Sequence, residues 1–189
     1  MTAAPETREV WLRGNPRPAV AGAAVFLVGL GAAGVAFRLS GWPAWAGWTL
    51  AAAAAAGGLV VAALVAVAAL PRLVRRGAAL RIRLAPLATH DVPLELVECV
   101  FPGSSPLAGA ADGPAPRRVG TVVVRLAERA VDWRRRPTFT AWGTWDDGHV
   151  VIDGRWCEPL SVEVTRRLGQ RIVDAKREIA AAIPQAAAR

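Results

Sequence analysis

Histidine, cysteine and the carboxylates are the side chains that most readily move protons, attack carbon or hold metals, and here they are few and scattered. The chain has two histidines, His90 and His149, and two cysteines, Cys99 and Cys157. A metal centre drawn from His149, Asp153 and Cys157 would have three donors but no CxxC or HxxxH pair of the kind that holds zinc. The expectation is no metal and no cofactor. An acid–base role for either histidine needs a nucleophile or carboxylate spaced to share a proton, and no such constellation is present. Asp146 and Asp147 precede Gly148, where a tight hairpin turn accounts for them, and Asp153 falls at a strand end. No glycine-rich loop in a phosphate-cradling pattern precedes a helix. Two cysteines make no disulfide framework and suit a reducing compartment.

Aromatic and basic residues offer a second kind of chemistry. Trp133, Trp142, Trp145 and Trp156 cluster in one third of the chain. Trp145 is in phase with Phe139 and Ala141, whereas Trp142 points to the other face. Two readings follow: a large, two-sided core, or a surface for a protein partner or lipid, for which Trp142, Trp145 and Trp156 are the candidate residues. Net charge is +8, and Lys176 is the single lysine among 23 basic residues. The arginines are scattered rather than interleaved with aromatics, so nucleic acid is not an expected partner. Arg72, Arg75, Arg76, Arg81 and Arg83 stand close together and are candidate contacts to anionic headgroups, each contributing ~1 kcal/mol near such a surface.

The elements that position these residues belong to two solvents. No charge occurs from Pro18 to Phe37, and none from Leu39 to Pro71. A bilayer core of ~30 Å needs about 20 apolar helical residues, so residues 19–37 and 45–70 are predicted transmembrane helices. The first run is longer than the apolar core of a signal peptide, and Phe37-Arg38 is a poor cleavage context. Neither run carries the polar stripe of a soluble helix. Neither contains Asp, Glu, Lys or His, which suits an anchor better than an ion pathway. Pairs such as Gly29/Ala33 and Ala54/Gly58 have the spacing that lets helices approach closely. Trp42, Trp45 and Trp48 mark the headgroup level at the connection. Arg8, Arg13 and Arg17 flank the other face together with Arg72, Arg75 and Arg76. This asymmetry places both termini in the cytoplasm, in a multi-pass protein of the inner membrane.

Residues 1–18 then read as a cytoplasmic segment, 71–78 as a basic juxtamembrane linker, 79–184 as a soluble domain and 185–189 as a tail. Leu80, Ile82 and Leu84 alternate with Arg81 and Arg83 as in a half-buried strand. Val92, Leu94 and Leu96 share one phase; Val97, Cys99 and Phe101 take the other, which requires a bulge or bend. Pro102–Pro116 reads as a long loop. Val119–Ala127 and Thr138–Trp145 read as strands, and Asp146-Asp147-Gly148 turns the chain into a partner strand over His149–Asp153. Leu160, Val164, Leu168, Ile172, Ala175, Ile179 and Ile183 form the apolar stripe of a long closing helix.

The fold class is α+β: a helical membrane hairpin, then a small β-rich domain closed by a C-terminal helix. From Ala79 to Ile183 this element order resembles the bacterial pleckstrin-homology-like domains that follow paired transmembrane helices, with a small β-sandwich or barrel as the alternative. The resemblance implies a non-enzymatic role in membrane-associated assembly. The expected function is a membrane-anchored structural or interaction module, its partners the lipid bilayer and an unidentified protein. The alternative is a small membrane-associated enzyme with a site between domain and bilayer.

Overall fold

The computed structural model describes residues 8–41, 43–106 and 118–187. Trp42 and residues 107–116 of the predicted loop lie outside the described residues. The chain divides into two compact units, Asn15–Leu70 and the remainder.

The first unit is a pair of helices, α1 (Arg17–Leu39) and α2 (Ala44–Ala69). Both are long and apolar enough to cross a membrane. They are not core helices: Val25, Val28 and Leu59 are each 74% exposed. The close approach between them is not at the glycines expected. A Cβ at Gly29 or Gly58 would meet nothing within 4 Å, whereas one at Gly57 would come within 2.7 Å of the Phe26 ring. Missing side-chain bulk at Gly57 is what accommodates Phe26.

The second unit contains two four-stranded antiparallel sheets and a C-terminal helix. The first sheet has β1 (Arg8–Leu12), β2 (Leu73–Arg76), β3 (Ala79–Ile82) and β4 (His90–Pro93), in that spatial order. Residues 8–12 are thus not a free segment. Leu12 pairs with Leu73 across the whole helical hairpin, and Trp11 and Leu12 are buried in the core. Leu73–Arg76 is likewise a strand rather than a linker. Gly77, with a φ of +53°, turns β2 into β3. Leu80, Ile82 and Leu84 all point into the core, as their alternation predicted.

The second sheet is built from β5 (Val97–Pro106), β6 (Arg118–Leu126), β7 (Gly143–Asp146) and β8 (His149–Asp153), in the order β5-β6-β8-β7. The predicted phase shift is a single 3-10 turn at Leu94–Leu96 followed by an irregular register between Val97 and Cys99. Pro102–Pro106 is strand, not loop: it pairs with Arg118–Val122. Its strand is at the sheet's edge, where proline is tolerated. Asp147 (φ 45°) and Gly148 (φ 72°) make the turn from β7 to β8. The strand predicted from Thr138 begins only at Gly143.

Helix α3 (Val162–Ala187) lays Leu168, Ile172 and Ala175 into the core and contacts β5. Arg166 and Arg167 face solvent. The side chain of Ile183 lies outside the described residues.

Candidate functional site

Arg72 follows α2 by three residues and opens the return of the chain into the first sheet. It is fully enclosed, at 0% exposure. Its guanidinium carbon sits 3.6 Å from the centroid of the Trp142 ring, and its Nε donates to the Trp156 carbonyl at 3.0 Å. The Trp142 and Trp156 rings lie 6.3 Å apart. A flat, weakly hydrated cation on an aromatic face is favourable when water is excluded. Burial still lowers the Arg72 pKa to about 10, with Cys157 opposing the shift and Arg83 adding to it. Arg72 is therefore charged at neutral pH. Cys157 is buried beside it and donates to the Asp153 carbonyl at 3.7 Å. Burial pushes that thiol up to about 12 despite the neighbouring cation, so it is a protonated, inert thiol.

The chain's departure point is tied to the same segment. Gly14 bridges Cys157, the Glu158 N–H donates to the Arg13 carbonyl at 3.0 Å, and the Arg13 N–H donates to the Glu158 carboxylate at 3.0 Å. Residues 156–158 thus bind both the strand that leaves for the helices and the one that returns.

The other arginines have separate duties. β2 runs away from Leu73 at ~3.3 Å per residue, which carries Arg75 and Arg76 toward the far turn. Arg75 is buried and pairs with Glu178 of α3 at 2.7 Å. Arg81 grips Asp91 through two hydrogen bonds, and that contact holds the Asp91 carboxyl below the usual range. Arg83 is half-buried and donates to the Pro86 carbonyl at 3.3 Å. Of the five, Arg72 has no surface to offer a headgroup, and Arg75 has almost none.

The tryptophans divide in the same way. Trp142 and Trp145 are 4% and 3% exposed, so both are core residues rather than a surface; Trp156 remains half-buried. Trp145 donates through Nε1 to the Trp133 carbonyl at 2.7 Å and stacks on the Trp133 ring at 6.0 Å. Arg136 lies over the Trp133 ring at 4.6 Å, and His90 meets Trp145 edge-on at 5.3 Å. Burial lowers the His90 pKa, with a hydrogen bond to the Pro137 backbone opposing it, so His90 is neutral at pH 7.

No family model, curated protein or solved structure matches this chain.

His149, Asp153 and Cys157 do not converge. His149 Nδ1 lies 3.0 Å from the Asp147 carbonyl, while Asp153 binds Arg155 at the other end of β8. Among the described residues no group of three His, Cys, Asp or Glu side chains could hold a metal ion. A cavity of about 370 Å³ beside the β7–β8 turn is lined by Arg125, Glu128, Arg134, Asp147 and His149. Its charges are mixed, and Arg125 is already paired with Glu98 at 3.1 Å. Sequence reasoning missed the clamp between α3 and the first sheet: Arg171 donates to the Val10 carbonyl at 3.2 Å and pairs with Glu9 at 3.4 Å. Helical periodicity puts Arg171 opposite the apolar stripe of α3, but nothing local in the sequence points to its partner in β1.

Proposed function

We propose that this protein is a membrane-anchored, non-catalytic interaction module whose domain is held on the cytoplasmic side of the inner membrane. The observation that carries the reading is the pairing of β1 with β2. The helical hairpin is inserted between two neighbouring strands of one sheet, so the chain departs and returns at adjacent points, Leu12 and Leu73. Two spans that begin and end at one sheet leave the whole domain in a single compartment. Arginine asymmetry around the spans supports the cytoplasm as that compartment. The apolar helix surfaces left uncovered by protein support lipid as their solvent. Two antiparallel sheets closed by a C-terminal helix support the pleckstrin-homology-like reading, with β1 added ahead of the hairpin.

The test is accessibility in intact cells. Cys99 is replaced by serine; Cys157 is left in place because it is buried. A cysteine introduced at Ser40 should react with a membrane-impermeant thiol reagent, and one at Ser104 should react only after permeabilisation. The opposite pattern would overturn the orientation, and equal reactivity at both would overturn the spanning hairpin.

A further inference from the structure

Among the described residues, the most exposed large apolar side chain of the domain stands at the end from which the chain leaves for the helices. Leu87 is 97% exposed. It lies in the loop after β3, and that loop's place is fixed by the ladder: Ile82 pairs with Leu73, and the Arg83 N–H donates to the Arg72 carbonyl at 2.9 Å. The loop therefore begins beside the residue at which the chain returns from α2. Phe139, 47% exposed, joins the same end, because its N–H donates to the Leu84 carbonyl at 2.8 Å and its ring meets Trp142 edge-on at 5.9 Å. Half-buried Trp156 is also there, through its carbonyl contact to Arg72.

The carboxylates near these residues are engaged: Asp153, whose N–H donates to the Trp142 carbonyl, pairs with Arg155 at 2.7 Å. From Arg83 to His90, and again from Trp133 to Trp145, the chain has no carboxylate. The Arg83 guanidinium braces the loop through the Pro86 carbonyl, and the exposed Arg13 stands at the same end. Glu158 is engaged by the Arg13 backbone. Apolar tips with cations beside them fit the headgroup–acyl boundary of an anionic leaflet; water gives a leucine in this position nothing.

We infer that Leu87 and Phe139 insert into the cytoplasmic leaflet and fix the domain against the bilayer, a role that rests on the membrane reading above. The arginine comb expected from sequence is thereby replaced by a two-residue apolar foot with Arg13 and Arg83 beside it.

Full-length protein with Cys99→Ser and a single introduced cysteine is labelled with an environment-sensitive fluorophore. It is then reconstituted into anionic vesicles containing nitroxide-labelled lipid. Three positions are compared: Leu87→Cys, Ala78→Cys at the far β2–β3 turn, and Leu64→Cys within α2. The expected result is a blue-shifted, quenched emission from positions 87 and 64 and neither change from position 78. Both labelled domain sites are exposed, so the label itself does not disturb the core. Quenching at 64 but not at 87 overturns the apolar foot and leaves the anchor standing. Absence of quenching at 64 as well overturns the membrane reading itself.

Discussion

Leu12→Ala in the full-length protein separates a free N-terminal segment from a structural strand. Leu12 is 0% exposed, in contact with the shared core, and its carbonyl accepts the Arg72 N–H at 2.9 Å. Truncating a fully buried leucine typically costs about 2–5 kcal/mol, because transfer energy is lost and a cavity is left. The backbone hydrogen bond survives the change, so the side-chain loss alone sets the cost. Taking ~3 kcal/mol, the open population of the domain rises about 150-fold, at a factor of ten per 1.4 kcal/mol. Hydrogen exchange on the detergent-solubilised protein reads this directly at Val122, Val123 and Val124, whose amides lie in the central part of β6 and exchange through global opening. Those amides should exchange about a hundredfold faster in Leu12→Ala. Val10→Ala, at a position 39% exposed in the same strand, should change them by only a few-fold. Unchanged exchange in Leu12→Ala would show that β1 is no part of the core and would remove the basis for the shared-compartment argument.

Three further outcomes follow from geometry already described. Leu168→Asp, which buries an unpaired carboxylate at a position 1% exposed, should destabilise the domain by several kcal/mol, whereas exposed Arg167→Asp should cost under about 0.5; chemical denaturation checks both. Cys157, with its pKa raised to about 12, should resist alkylation of the native protein at pH 8–9 while exposed Cys99 reacts; reactivity of Cys157 should appear on unfolding or as pH nears 12, and mass spectrometry of the alkylated peptides distinguishes these. Gly57→Ile should loosen the α1–α2 contact by about 1–3 kcal/mol because its Cβ meets Phe26, and Gly58→Ile should be tolerated, as read from helix-pair crosslinking yields in detergent.

What the sequence made legible was local. The two apolar runs, the period-two face of Leu80, Ile82 and Leu84, the Asp147-Gly148 turn and the stripe of α3 each depend on neighbours a few residues apart. Their positions agree with the structure to within a few residues. β1 was invisible because its five residues have a mixed pattern and find their partner only beyond the hairpin. Strict alternation puts Trp142 and Trp145 on opposite faces. Gly143, at φ 153°, breaks that alternation just between them, and both rings go inside. The arginines are close together in sequence but take separate partners in the fold. Which of them turns inward depends on where Trp142 and the Trp156 carbonyl are delivered by the other sheet, and no local pattern encodes that.

The β1–β2 pairing also dictates an order of assembly. Leu12 is synthesised long before Leu73, so the first strand must wait, unpaired, while both helices are made. Closing a flexible loop of about 60 residues costs roughly 3–4 kcal/mol in chain entropy. A helical hairpin already inserted in a bilayer brings its two ends side by side and removes most of that cost before the sheet begins to form. On the proposed membrane reading, insertion would act as the nucleating step for the domain, and a chain whose hairpin failed to insert would have its first strand weakened as well as its anchor lost. Its β2 would be left as an open sheet edge, available to pair with another chain.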